Sequence, residues 1–213
     1  MELDQAMTTS GTCRYYTDAD VPDDVMARVL DAGRFAPNGG NRQGLRLVVV
    51  KDAAKKRQLA EWYRVPWKAY AAAARGGGID IGGATSLVDH ADHFADHLEE
   101  VPVLIVVCAD WDCIHPTDHE LGRTSVVGGA SIYPGVQNML LKAREEGLGT
   151  ALTTLLCIYE PQVKELLGIP EGVITAAHVA MGWPARPFPT KLSRMPLADM
   201  VHLDSWGTPF PGV

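Results

Sequence analysis

None of the four cysteines, Cys13, Cys108, Cys113 and Cys157, belongs to a C-x-x-C pair. That usage suits buried thiols in a reducing compartment, and the cytoplasm is the expected location. No apolar run approaches the roughly 18 residues of a membrane span. The opening "MELDQAMTTS" has neither a basic n-region nor an apolar h-region, so no secretory leader is expected. Cations are in deficit: 19 Lys and Arg against 26 Asp and Glu give a net charge of −7. An acidic chain is a poor general binder of nucleic acid or anionic membrane, and neither partner is expected. There is no P-loop, no G-x-G-x-x-G after a strand and no G-x-S-x-G elbow, which removes the commonest phosphate cradles and the α/β-hydrolase nucleophile.

What is present is a chain of 213 residues, 46% hydrophobic, with no internal repeat and no linker long enough to divide it. It reads as one domain over 1–196 with an extension over 197–213. "VPDDVMARVLDAGRFA" (21–36) has helical apolar spacing and stops at Pro37. "LRLVVV" (45–50), "VPVLIVVCA" (101–109), "GLGTALTT" (147–154) and "VITAAHVAMGWP" (173–184) read as strands. Helices are expected over 53–74 with a kink near Pro66, over 85–100, over 123–146 with a kink at Pro134, and over 160–168. Small residues in the first half of the 123–146 segment would let two helices approach closely. The order predicts a mixed α and β domain around a sheet. The extension has no Lys or Arg but carries Leu197, Met200, Val201, Leu203, Trp206 and Phe210. Burying each large apolar side chain is worth ~1.5–3 kcal/mol, so the extension is expected to dock on its own body or on a partner subunit.

Four places could carry chemistry. His90, His93 and His97 fall at i, i+3 and i+7, interleaved with Asp89, Asp92, Asp96 and Glu99; a solvated polar helix is the expected reading, and no metal is assigned. Cys113, His115, Asp118 and His119 form a looser set that matches no ordinary zinc spacing. Thr12 and Arg14 precede the first expected helix, and Arg186, Lys191 and Arg194 lie in a Pro-rich segment after the last strand. Such cations can converge on one phosphate. Finally, "APNGGNRQ" (36–43) is too long for a tight turn. Gly39 and Gly40 permit positive φ and close backbone approach, and Asn38, Asn41 and Gln43 offer donors and acceptors. Either a long polar turn or one wall of a site for a flat heterocycle would use that set.

Taken in order, these motifs resemble the FMN-dependent nitroreductase family. The carriers are Thr12-Cys13-Arg14, the helix-ending turn "APNGGNRQ", a small-residue helix through Gln137-Asn138 into "GLGTALTT", and Gly182-Trp183-Pro184 followed by Arg194-Met195-Pro196. The likeness spans about residues 9 to 205. It implies an α+β fold with a central, mainly antiparallel sheet surrounded by helices, and an intertwined homodimer with FMN at the subunit interface. The C-terminal extension would wrap the partner. It implies an enzyme in which FMN takes hydride from NAD(P)H at flavin N5 and passes electrons, in a ping-pong cycle, to a small-molecule acceptor such as a nitroaromatic or quinone. A flavin reductase, dehalogenase or flavin-cleaving enzyme, or a non-catalytic flavin binder, is the alternative.

Carried over residue by residue, the resemblance puts Thr12, Cys13, Arg14, Lys191 and Arg194 around the FMN phosphate. Pro37, Asn38, Gly39, Gly40, Asn41 and Gln43 would meet ribityl and ring groups. Thr153, Thr154 and Leu155 would offer backbone N–H groups near flavin O4 and N5. No side chain is expected to act as a general base, because the protein's task is position, electronics and access. The chain departs from the pattern at Ser10, where a basic residue is usual, at Asn38 in place of Ser, and at Gly44-Leu45 after Gln43. Segments 62–83 and 110–122 are expected to form pocket walls and lids, with Tyr63, Trp67, Tyr70 and Trp111 as stacking candidates.

Overall fold

The computed structural model describes residues 1–78 and 85–212. Six helices and four strands alternate: α1 (Leu3–Thr9), α2 (Asp23–Gly33), β1 (Leu45–Val50), α3 (Ala53–Arg75), α4 (Thr85–Asp96), β2 (Val103–Asp110), α5 (Tyr133–Glu145), β3 (Gly149–Thr153), α6 (Glu160–Leu167) and β4 (Val173–Gly182). The strands form one sheet in the order β1-β2-β4-β3, antiparallel at every pairing. This is the mixed helix and antiparallel-sheet architecture expected.

β2 is buried along nearly its whole length because helices cover both faces of the sheet. Leu104, Val106 and Cys108 point into a core shared with α3 and α4, through Leu59, Tyr63, Trp67, Phe94 and Leu98. Val103, Ile105, Val107 and Ala109 point the other way, into a core shared with α2 and α5, through Val29, Val136 and Met139. One extra residue, Ala176, bulges from β4 between the pairs Val107–Ala177 and Cys108–Thr175. Tyr133 Oη donates to the Ala176 carbonyl at 3.0 Å, so the bulge is tied to the start of α5.

Several sequence expectations are corrected. The helix expected from 123 begins at Tyr133; 123–132 is a series of turns, and Pro134 starts the helix instead of kinking it, as suits a residue without a backbone donor. Asp118 holds the preceding loop. Its carboxylate accepts from Ser125 Oγ at 2.6 Å, Arg123 Nη1 at 2.7 Å and Val126 N at 3.1 Å. These bonds, Ser125 first, pull its pKa down to about 2. α3 runs through Pro66 as a single helix of 23 residues. α1 was not expected. The helix expected to end at Pro37 stops at Gly33, where α2 crosses α5: a Cβ on Gly135 would lie 2.9 Å from Gly33 O and 2.8 Å from Leu45 Cδ2. Small residues do permit that close approach. The end of the 62–83 segment, expected as a pocket wall or lid, lies outside the described residues from 79 on.

The interleaved acids of α4 serve α3. Asp92 accepts from Lys68 at 2.6 Å, Trp67 Nε1 at 2.9 Å and Arg75 at 3.1 Å, and its pKa falls to about 2, mainly through Lys68. Glu99 pairs with Arg64 at 2.7 Å. α4 is therefore amphipathic and not simply a solvated polar helix, with Val88, Ala91, Phe94 and Ala95 buried.

Val201 and Leu203 of the extension are half-buried, but its other large apolar side chains are left uncovered. Leu197 is 53% exposed, Met200 60%, Trp206 92% and Phe210 42%. Its backbone bonds are internal, such as Leu203 N to Thr208 O at 2.9 Å.

Candidate functional site

The segment 12–17 is threaded along the sheet. Cys13 N donates to Thr150 O at 2.8 Å, Thr17 N to Trp183 O at 2.9 Å, and Tyr16 Oη to Cys13 O at 2.8 Å. Cys13 itself packs over Gly149, where a Cβ would come within 2.6 Å of it. Burial raises the Cys13 thiol above its ordinary pKa, so it stays protonated, and its part is to tether the strand.

That tether puts Thr12 and Arg14 on the wall of a cavity of about 260 Å³ with Thr153, Leu155 and, from α3, Tyr63, Trp67 and Tyr70. The α3 aromatics sit one and two turns apart and so share a face. Tyr63 and Trp67 are also core residues, only 4% and 8% exposed; the spacing on α3 was the one sequence signal for them. Trp111, the fourth stacking candidate, lies elsewhere and is 53% exposed.

The segment after β4 lies alongside. Ala185 N donates to Tyr15 O at 2.9 Å and Leu192 N to Thr8 O at 2.8 Å. Residues 5–17 and 183–198 contain no Asp or Glu, yet carry Arg14, Arg186, Lys191 and Arg194. A fifth cation, Arg144 of α5, which the sequence reading missed, reaches both segments. Its Nε donates to Thr9 Oγ1 at 3.2 Å and its guanidinium lies 3.7 Å from the Phe188 ring centroid. Among the described residues none of these five is in an ion pair. In a chain of net charge −7, five cations without an ion pair lie on or beside two acid-free segments, with Glu100 bordering a cavity shared with Arg14 and Ala185. Lys191 and Arg194 are exposed and line none of the described cavities with Arg14, so the expected phosphate group is divided: Arg14 faces the aromatic slot and the other two lie outside it.

The "APNGGNRQ" turn lies apart from both. With Ser131, Gly135 and Leu47 it borders a second cavity of about 560 Å³ that includes Asn38, Arg42 and Gln43 but neither Arg14 nor Thr153. Positive φ falls at Gly40 (61°), Asn41 (52°) and Gln43 (53°), and not at Gly39, which corrects the expectation for both glycines. Asn38 Oδ1 accepts from Gln43 N at 2.9 Å, and Gly39 N donates to Ser131 Oγ at 3.0 Å. Asn38 is thus committed to shaping the turn, while the Gln43 side chain remains exposed. One chain holds two partial sites: an aromatic, cationic slot, and an amide-lined groove.

His90 and His93 of α4 share a face that meets Tyr15, and His97, just past the helix end, stacks behind His93. Tyr15 Oη is 2.7 Å from His90 Nδ1, and its ring stacks on His93 at 4.3 Å. His178 of β4, by contrast, is fully buried, and neither ring nitrogen has a partner. Desolvation pushes its pKa down to about 4, so the ring is neutral.

A four-stranded antiparallel sheet between two helical layers, with cations gathered beside its β3 edge, defines an α+β domain of known kind. The family model for the nitroreductase family matches residues 11–183, and the chain belongs to that family. It is 28% identical over 217 residues to an NADH dehydrogenase of Thermus thermophilus, covering 88% of this chain and 89% of the relative. It is 26% identical over 185 residues to 5,6-dimethylbenzimidazole synthase of Rhodospirillum rubrum, covering 83% and 79%. The NADPH:FMN oxidoreductase of Vibrio harveyi, solved with NAD+, has the same fold: TM-score 0.69 at 22% identity, covering 96% of this chain and 77% of that one.

Proposed function

We propose that this chain is an FMN oxidoreductase that takes hydride from NADH or NADPH and reduces a flat acceptor such as a nitroaromatic or quinone. The observation that carries this reading is the slot of Thr12, Arg14, Thr153 and Leu155 walled by the α3 aromatics, beside two acid-free segments that carry unpaired cations. Such a donor set fits a flavin mononucleotide: a phosphate needs the cations and a flat ring needs the aromatic-walled slot. The names of the Vibrio harveyi structure and the Thermus relative support it.

Bound FMN supplies the redox chemistry, accepting a hydride and releasing electrons to the second substrate. The protein's residues do the rest. Lys191 and Arg194 hold the phosphate, Thr12 and Arg14 fix the nearer end of the cofactor, and the 153–155 turn limits how deep the ring sits. The slot alone, at about 260 Å³, is smaller than an ordinary ligand site of roughly 300–1,000 Å³. A homodimer completes it: the partner's copy of the Pro37–Gln43 turn supplies the opposite wall. The exposed 197–212 extension wraps the partner subunit, which covers its apolar side chains.

The test is an absorbance spectrum of the purified protein with FMN, before and after NADPH or NADH under anaerobic conditions. A flavin spectrum bleached by the nucleotide and restored by a quinone is expected; a protein that takes up no FMN overturns the reading. The likeness to 5,6-dimethylbenzimidazole synthase favours one second reading, a flavin-cleaving enzyme. Loss of the flavin itself when the reduced protein meets air, in place of reoxidation, would select it.

A further inference from the structure

Tyr15 is held from every side. The Arg186 guanidinium carbon lies 3.3 Å from its ring centroid. His93 stacks on the ring at 4.3 Å with planes 18° apart. Two groups that close to one centroid cannot share a face, so the ring is sandwiched. Its hydroxyl meets His90 Nδ1 at 2.7 Å, and its carbonyl accepts from Ala185 N at 2.9 Å. Behind His93 the stack continues to His97, with ring centroids 4.0 Å apart. One aromatic side chain thus connects the N-terminal segment, α4 and the strap of residues 184–196. Nothing in the proposed chemistry uses it.

We propose that Tyr15 is a positioning residue that clamps the cation-bearing strap against the Arg14 segment, and that a proton on His93 loosens the clamp in acid. The strap is otherwise weakly held. It is rich in proline and largely exposed; besides the Ala185 and Leu192 backbone bonds to the N-terminal segment, Pro189 packs on Gly11 and Phe188 stacks on Arg144. Arg186 has no carboxylate partner among the described residues, so the Tyr15 ring is its anchor, a cation–π contact.

The pH dependence follows from what surrounds His93. On its own helix are His90 and Asp96, with His97 just past the helix end. Tyr15 and Arg14 face it from the N-terminal segment, Arg186 from the strap, and Glu100 from the turn after α4. A proton on His93 places a second cation against a ring that already carries Arg186, beside His97. Asp96 and Glu100 oppose this, but both are exposed and screened. Burial, His97 and Arg186 hold His93 below its ordinary pKa, in keeping with a stack built for the neutral ring.

This inference gives the proposed FMN site its regulation and rests on that reading, so the test has a cofactor-free arm. Hydrogen exchange of the 184–196 peptide, corrected for intrinsic rates, reports the strap directly through the Leu192 amide. In Tyr15→Ala, protection there is expected to fall about tenfold, and FMN affinity with it; Tyr15→Phe keeps both within about threefold, because stacking and not the hydroxyl holds Arg186. Arg186→Gln, an exposed substitution that leaves the fold intact, is expected to loosen the strap like Tyr15→Ala. As pH falls below the free-histidine value of 6.5, wild-type protection is expected to drop, and His93→Phe, which stacks but cannot charge, to remove that drop. Wild-type protection in Tyr15→Ala and Arg186→Gln overturns the clamp, and an unchanged pH drop in His93→Phe overturns the switch. If the wild type binds no FMN, the functional reading fails while the exchange data still judge Tyr15.

Discussion

Leu192 donates its backbone N–H to Thr8 O at 2.8 Å, across 184 positions of sequence. Through that bond and its neighbours, two segments without a single acid lie side by side, and their four cations make no ion pair among the described residues. Removing one of these cations is therefore expected to act on the cofactor and not on folding. Arg14→Ala and Arg194→Ala should each weaken FMN binding by roughly 1.5–3 kcal/mol, about 10-fold to over 100-fold, with an unchanged melting temperature. Flavin fluorescence titration measures it. Unaltered affinity in both variants refutes their place in the FMN site.

The crossing of α2 and α5 is expected to be intolerant of a single methyl group. In Gly135→Ala the new Cβ would meet the Gly33 carbonyl oxygen at 2.9 Å, and backbone cannot rotate away as a side chain can. A loss of about 1–3 kcal/mol is expected in urea unfolding. Gly172→Ala, where a Cβ meets nothing within 4 Å, serves as the control and should change little.

His178 is expected to set part of the acid limit of the fold. Its pKa is about 4 in the folded chain against 6.5 when free. The unfolded chain therefore binds more protons between those values, and the depressed group favours folding above pH 6.5 and loses that contribution as pH falls through 4. The span corresponds to about 3 kcal/mol. His178→Leu, which also removes two unpartnered ring nitrogens, should flatten the stability–pH curve over this window without lowering stability at pH 7. A curve parallel to wild type would show that another group carries the acid sensitivity.

Deleting residues 197–213 is expected to disrupt self-association. Leu197, Met200, Trp206 and Phe210 are exposed in the single chain, and each is worth ~1.5–3 kcal/mol when covered. Sedimentation of the truncated protein should give a monomer, or a dimer dissociating at much higher concentration. A truncated chain as tightly dimeric as the full one excludes the wrapping role.

Much of this molecule was legible in one dimension because it depends on residues near each other in the chain. The β-branched run 103–110 can only be a buried strand, and α2 and α6 follow from apolar spacing. Motif order was enough to name the family. The failures were local competitions decided by distant partners. The 123–132 stretch is not helix, since Asp118 takes its Ser125 and Val126 donors, and Pro66 did not break α3, which tertiary packing holds along its length. Asn38 looked like a ligand-facing amide, but its oxygen is spent on Gln43.

The sequence by itself determined the sheet-forming and helix-forming segments, the family, and the pool of cations and amides from which a site could be drawn. Only the tertiary structure decided their grouping. Arg14 belongs with Tyr63, Trp67 and Thr153 in one cavity, Asn38 and Gln43 with Ser131 in another, and Arg186 with Tyr15 and His93 in a stack. Periodicity constrains which way a side chain leaves its own element. Which elements then face one another depends on strand order and helix packing, and these are set by the two buried faces of the sheet acting on the whole chain.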